Sequence, residues 1–248
     1  MDMENDRYDE LISLMGKGIY SKDEMCDLIY RVFPSYSYNS SLWVLGDLMR
    51  IGRISALGFG LYQASQKEEF HLELSDYEQC LFEMSKIEFP NSPSCIFSTA
   101  WLDSKLDLHG GPDITIIETE KDKVFGLYYL LHGKEKRGVM VEPKEHDLEM
   151  YFSPGNVVVK KLFSKSPVRE DGSIRIEKLM VDLLSDRLIQ YFYRGVDFAE
   201  FIQSLVQNYA VNYSTLLTYA KRRCVDNEIK SILKGVVSPN IWTIIQNK

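Results

Sequence analysis

Residues 21–64 constrain what this chain can fold into more than any other stretch, because they spell a helix, a turn, a second helix and a glycine-punctuated hairpin. Ser21-Lys22-Asp23-Glu24 fits a capping box, in which a serine and a glutamate three residues on satisfy backbone donors that a helix start leaves unpaired. Met25, Leu28, Ile29 and Val32 follow at helical spacing and make one face apolar. Pro34 ends that helix, since proline disfavours helical backbone in the residue before it. Asn39, Ser40 and Ser41 offer a second N-cap. Leu42, Leu45, Leu48 and Met49 form another apolar stripe, and Gly52 is a C-terminal stop. Residues 53–57 and 59–62 read as two short strands around Gly58, and Tyr8, Leu11, Ile12 and Met15 supply an earlier helix. Three helices and a hairpin within residues 1–66 predict a winged helix-turn-helix domain.

In a helix-turn-helix the second helix of the motif enters the DNA major groove. Here it is expected over residues 40–51, with Ser40, Trp43, Asp47 and Arg50 on its outward face. Arg50 and Arg53 suit phosphates or base edges, and Ser40 and Ser41, at the helix start, suit a phosphate. The expected DNA-facing set is therefore Ser40, Ser41, Trp43, Arg50 and Arg53. Asp47 fits badly, because it repels backbone phosphates. The charge also opposes this reading: the chain carries −7, while DNA affinity rests largely on neutralising phosphates. Five acids and one base in the first ten residues account for −4 of it. Residues 11–66 carry five bases and four acids, only +1. A homo-oligomer on an operator would compensate; the alternative is a domain that only contacts other proteins.

With 248 residues, 45% of them hydrophobic, the chain is long enough for two domains. Cys26, Cys80, Cys95 and Cys224 are scattered with no CxxC pair, which points to neither a zinc site nor a disulfide framework and suggests a reducing compartment. The acidic start is unlike a signal peptide, and no apolar run has the length of a membrane-spanning helix. A cytoplasmic protein is expected, with no membrane association.

After a polar linker at 65–69, residues 70–248 read as an α/β domain with C-terminal helices. Leu74, Tyr77, Leu81 and Met84 mark a helix. Cys95-Ile96-Phe97-Ser98, Ile114-Thr115-Ile116-Ile117 and Gly138-Val139-Met140-Val141 are apolar strands. Between them lie helical turns at 99–106 and a helix through Val124, Leu127, Tyr128 and Leu131. Alternating helices and apolar strands argue for α/β layers. Residues 150–152 and 157–159, joined by Ser153-Pro154-Gly155-Asn156, suggest a hairpin at the sheet edge. Four helices follow, through Ile176 and Leu183, Phe198 and Tyr209, Tyr213 and Ala220, and Ile229 and Leu233.

Motifs for catalysis are mostly missing. Gly58-Phe59-Gly60-Leu61-Tyr62-Gln63 matches a dinucleotide loop for two glycines and fails at the third. No P-loop and no GxSxG elbow is present. Gly172-Ser173 has the form of a phosphate cradle, yet the Asp-x-Asp pair that would hold Mg²⁺ for nucleotidyl transfer does not follow. Asp113 and Glu118 suit a metal-dependent nuclease, but Glu120 stands where lysine is needed and Lys121 is one place late. His71, His109, His132 and His146 are dispersed, and His109-Gly110-Gly111-Pro112 reads as a tight turn. Glu118, at a strand end, reads as solvent-facing or salt-bridged, and Asp182, inside an apolar helix face, as pairing or capping locally, before either reads as a site residue. Lys221-Arg222-Arg223 ends a helix, where its charges favour the helix dipole. It can also form a basic patch for a partner, extended by Lys160 and Lys161 if the two regions meet. No cofactor, metal or catalytic residue is expected.

Three segments in order resemble one family. Gly52-Arg53-Ile54 through Leu57-Gly58-Phe59-Gly60-Leu61-Tyr62 resembles the wing of AbiEi-type antitoxins of type IV toxin–antitoxin systems. Arg175-Ile176-Glu177-Lys178-Leu179-Met180-Val181-Asp182-Leu183-Leu184 looks like that family's helix with a Glu-Lys pair and a later Asp before two apolar residues. Leu216-Leu217-Thr218-Tyr219-Ala220-Lys221-Arg222-Arg223 is similar to its C-terminal Leu-x-x-Tyr-Ala-x-Arg helix. The resemblance spans about residues 18–235. It implies an N-terminal winged helix that binds operator DNA and represses its own operon. It also implies a C-terminal α/β domain, nucleotidyltransferase-like in outline but without the catalytic acids, that helps counteract a nucleotidyltransferase-like toxin. On that basis Lys160, Lys161, Lys221, Arg222 and Arg223 are the expected partner-binding residues. A metal-dependent enzyme on nucleic acid or nucleotide and a winged-helix regulator that senses a ligand remain the alternatives.

Overall fold

A computed structural model describes residues 2–16, 18–64, 69–106, 111–135, 137–237 and 239–246. Most of the expected linker at 65–69, and the His109-Gly110 half of the expected tight turn, lie outside these residues. The chain is a mixed α/β protein with small sheets. It divides into two compact units, one of Met1–Phe70, Ala199–Leu217 and Glu228–Lys248, the other of His71–Phe198 and Thr218–Asn227. The C-terminal helices, expected to belong wholly to a 70–248 domain, are instead shared between the units.

The first unit begins with α1 (Asp2–Met15), β1 (Ile19–Ser21), α2 (Lys22–Val32), α3 (Tyr38–Arg50), β2 (Ile54–Gly58) and β3 (Leu61–Ala64). The Ser21 capping box forms: the Ser21 N–H donates to Glu24 Oε2 at 2.7 Å and the Glu24 N–H to Ser21 Oγ at 3.3 Å. Helix α3 starts earlier than expected, because Ser37 is the N-cap and its Oγ accepts from the Ser40 N–H at 3.2 Å. The inward stripe is therefore Ser41, Val44, Leu45 and Leu48, spaced as one helical face. Leu42 is only half-buried and Met49 is exposed. Val44, Leu45 and Leu48 close a core with Leu11, Met15, Met25, Ile29 and Phe33. The sheet runs β1-β3-β2, all antiparallel. At three residues, β1 is too short for its alternation to be visible in sequence. The hairpin turn needs left-handed backbone at Gly58 (φ 87°), Phe59 (56°) and Gly60 (74°), the conformation glycine adopts without steric cost.

The second unit contains α4 (Asp76–Glu88), β4 (Ser94–Ser98), α5 (Thr99–Lys105), β5 (Thr115–Thr119), α6 (Val124–Lys134), β6 (Val139–Val141), α7 (Glu145–Tyr151), β7 (Val157–Lys161), α8 (Ile176–Ser185) and α9 (Arg187–Phe192). Helices α10 (Phe198–Asn208), α11 (Tyr213–Arg223), α12 (Asp226–Lys234) and α13 (Pro239–Gln246) follow. The sheet order is β4-β5-β7-β6, with β4 antiparallel to β5 and β7 parallel to both its neighbours. The expected edge hairpin does not form. Met150 and Tyr151 end helix α7, and β7 lies inside the sheet. Val157, Val158 and Val159 are fully buried, the unbroken apolar run of a strand covered on both faces. Ile96, Ile117, Val157 and Val159 cluster with Leu81, Phe82, Leu127 and Leu131 of α4 and α6. The alternate residues Cys95, Phe97, Ile116, Glu118 and Lys160 share a recess with Lys178 and Asp182 of α8. Among the described residues no helix is long and apolar enough to cross a membrane.

Leu48 is wholly buried and Trp43, on the opposite side of α3, is 69% exposed. Leu48→Ala is expected to destabilise the protein by about 2–5 kcal/mol. Trp43→Ala should shift stability by about 0.5 kcal/mol or less. Urea denaturation of both variants checks this face assignment.

Candidate functional site

Strand register places Cys95, Glu118 and Lys160 side by side across β4, β5 and β7. From α8, Lys178 and Asp182 stand one turn apart and meet this row. Lys178 Nζ lies 2.8 Å from Glu118 Oε2 and 2.5 Å from Asp182 Oδ2. Lys160 Nζ lies 3.3 Å from Glu118 Oε1 and also pairs with Asp186, whose carboxylate caps α9. Helix α11 adds a second i, i+4 pair. Tyr219 Oη donates to Asp182 Oδ1 at 2.9 Å, and Arg223 Nη1 reaches the same oxygen at 2.8 Å. The Cys95 thiol donates to Glu118 Oε2 at 3.7 Å. Three carboxylates thus face three cations inside the second unit, and the network is formally neutral.

Burial pushes the Glu118 carboxyl up, but Lys178 and Lys160 outweigh it and hold the group below its ordinary 4.5. Asp186 is held below its ordinary 3.8 by Lys160 and Arg223 against the same burial. Lys178 is deprotonated less readily than a free lysine, because Asp182 and Glu118 overcome the burial that would strip its proton. Burial, with Glu118 adding to it, pushes the Cys95 thiol well up, so it is no thiolate nucleophile at neutral pH. Burial also raises the Asp182 carboxyl, Lys178 opposing and Glu118 reinforcing the shift. The recess beside the network is about 10 Å³, room for about one water and not for a substrate. As it stands, the arrangement pins the strands β5 and β7 to helices α8 and α11.

The expected partner-binding residues separate here. Lys160 and Arg223 belong to the network, their side chains only 15% and 4% exposed, and so do not form the expected surface patch. Burial draws them inward because each has a carboxylate waiting, without which a buried cation is costly. Lys161, Lys221 and Arg222 are exposed. The two basic stretches do meet, but around Phe163, whose ring takes Arg223 at 4.0 Å and Lys161 at 5.4 Å. Asp182 pairs as expected with a neighbour and also with a side chain 41 residues away. Glu118 is salt-bridged, and Asp113 stands in the irregular segment before β5, its carbonyl accepting from Gly155 N–H at 2.7 Å. Gly172-Ser173 is a closed turn. A side chain at Gly172 would strike Phe82 at 2.4 Å, and the Ser173 hydroxyl donates to Asp171 at 2.7 Å. Among the described residues no group of three or more His, Cys, Asp or Glu could hold a metal ion. The roles of Lys178, Asp186 and Tyr219 in one network escaped sequence reasoning; the Lys178/Asp182 and Tyr219/Arg223 spacing of four was the available signal.

In the first unit, Trp43 and Arg50 project from α3 and Ser40 is half-buried, its hydroxyl 3.0 Å from that of Ser37. Ser41, expected to face outward, is 2% exposed; the earlier helix start turns it into the core. Arg50 Nε donates to Asp47 Oδ1 at 3.1 Å, and Tyr8 Oη donates to Asp47 Oδ2 at 3.1 Å. Arg53 pairs with Asp9. Tyr36, Asn39, Ser40 and Trp43 line an open groove of about 420 Å³ on this face.

Replacing Glu118 with Gln leaves Lys178 and Lys160 short of a counter-charge in a buried site, at an expected cost of about 3–5 kcal/mol at pH 7. The sign with pH follows from the lowered Glu118 pKa. Its contribution is complete above the ordinary 4.5 and is lost as pH falls through the folded value. Chemical denaturation between neutral and acid pH should therefore show a stability gap between wild type and Glu118→Gln that narrows in acid.

Residues 41–238 match the family of unknown function DUF6577. No curated protein and no solved structure matches the chain. That match covers most of the sequence, and the protein belongs to the DUF6577 family.

Proposed function

We propose that this protein is an antitoxin-like DNA-binding repressor, without catalysis of its own, that autoregulates its operon and counteracts a nucleotidyltransferase-like toxin. The observation that carries this reading is the first unit. The order α1-β1-α2-α3-β2-β3, with a three-stranded antiparallel sheet ending in a glycine-rich hairpin, supports the reading of a winged helix-turn-helix, and Trp43 and Arg50 of α3 are exposed. In that plan α3 enters the major groove. Arg50 and Arg53 already hold carboxylates, but exposed pairs of this kind are worth only about 0.2–1 kcal/mol. A phosphate can replace Asp47 or Asp9 at little cost. Asp47 and Asp9 then act as counter-ions that weaken non-specific attraction to DNA.

The second unit supports the non-catalytic half of the reading. Its two segments resembling the antitoxin family converge: Lys178 and Asp182 come from one, Tyr219 and Arg223 from the other, and all four join the same network. Each carboxylate there has a cation, and the recess is too small for a nucleotide. Lys161, Lys221 and Arg222 remain as the exposed cations for an acidic surface on a toxin.

Gel-shift titration on a fragment of the protein's own promoter tests the proposal. Wild type should bind, with affinity falling steeply as salt rises. Arg50→Ala with Arg53→Ala should reduce the salt slope by about 1.8, since each phosphate no longer neutralised accounts for about 0.9. Asp47→Asn should tighten binding. Absence of a shift at low salt would sink the DNA reading.

A further inference from the structure

The first turns of α3 are uncharged, which is unusual for a surface meant to meet DNA. Residues 32–46 contain neither an acid nor a base. On this stretch Tyr38, Asn39 and Trp43 are exposed, and Asn39 and Trp43 share the open groove with Tyr36 and Ser40. Tyr36 is held by stacking on Phe33 at 4.8 Å, and the Ser40 hydroxyl is taken up by Ser37. The two exposed side chains that line the groove are a carboxamide and an indole. Four residues apart, they lie next to each other on the helix surface.

Resting on the DNA reading above, we propose that this groove reads an adenine–thymine pair, with Asn39 as the base-reading residue and Trp43 packed on a thymine methyl. A carboxamide carries a donor and an acceptor side by side. That pair matches adenine, which offers N7 as acceptor and N6–H as donor in the major groove. Guanine offers two acceptors there and calls for arginine or lysine, which this stretch lacks. The thymine C5 methyl is the apolar feature of that groove, and the indole is the large apolar surface beside Asn39. Arg50 stands eleven residues beyond Asn39, about 16 Å along the helix axis. At that separation Arg50 stands well away from the base pair that Asn39 reads, and its part is assigned to the flanking phosphates. Sequence preference and salt dependence are thereby assigned to different residues.

Fluorescence anisotropy with the full-length protein and its promoter fragment separates them. Single base-pair changes across the bound site should reveal one A·T pair whose replacement by G·C weakens wild-type binding about 5- to 150-fold. In Asn39→Ala that penalty should vanish with the salt slope unchanged. In Arg50→Ala the slope should drop by about 0.9 with the penalty intact. Replacing the paired thymine by uracil, which removes only the methyl, should weaken wild type and leave Trp43→Ala indifferent. Both side chains are exposed, so thermal melting should show the variants folded. If Asn39→Ala still binds and keeps the full penalty, or if uracil costs Trp43→Ala as much as wild type, this assignment is overturned while DNA binding stands. If wild type binds no fragment at low salt, the DNA reading fails and the assignment with it. Folded Asn39→Ala and Trp43→Ala that bind DNA normally but lose a protein partner would make the groove a protein-docking site and overturn the assignment.

Discussion

Lys178 between Glu118 and Asp182 is the interaction on which the second unit depends. An ammonium only 2% exposed is tolerated because two carboxylates within 2.8 Å compensate for lost hydration. They need compensation in turn, and Lys160 and Arg223 supply it. Removing any one member leaves an unbalanced charge in a buried site, so the six groups stand or fall together. The same requirement fixes topology. Glu118 and Lys160 must be neighbours on parallel strands, and helices α8 and α11 must each present two residues one turn apart. Well-packed apolar side chains could give comparable stability. What the ionic version adds is that a slip of one residue in β5 or β7 would carry a charge to the other, apolar face of the sheet.

That interior arrangement bears on the exterior. Cations held inside the second unit cannot serve a nucleic-acid surface, and in the first unit Arg50 and Arg53 face Asp47 and Asp9. On the proposed reading the protein would bind polyanions in general only weakly. On the proposed DNA reading, discrimination would come from a neutral pair, Asn39 and Trp43, responding to base identity, and attraction from phosphates at Arg50 and Arg53. An acidic chain that recognised DNA through charge alone would contradict its own composition.

Much of the local architecture is legible in sequence, for physical reasons. The Ser21 capping box, the stripe Met25-Leu28-Ile29-Val32 and the apolar strands around Ile96 and Ile117 are short-range patterns with one favourable outcome each. Sequence and structure part where two short-range readings compete. Ser37, Ser40 and Ser41 are all acceptable caps, and the choice of Ser37 rotates α3 enough to bury Ser41. The Pro154-Gly155 turn signal makes residues 150–152 look like half of a hairpin, although the acidic start at Glu145 and the apolar Leu148 suit a short helix. The network is the least legible feature. Lys160, Lys178 and Arg223 look like surface residues one at a time, and only their convergence on Glu118, Asp182 and Asp186 makes burial tolerable.

The most direct measurement is a DNase I footprint of the full-length protein on the segment upstream of its own reading frame. On the proposed reading α3, whose single arginine is matched by a single aspartate, should act in pairs, giving a protected region with two related half-sites about 10–10.5 base pairs apart, centre to centre, or a multiple of that. Uniform cleavage across the segment at low salt and saturating protein would contradict the account of α3 as a DNA-reading helix.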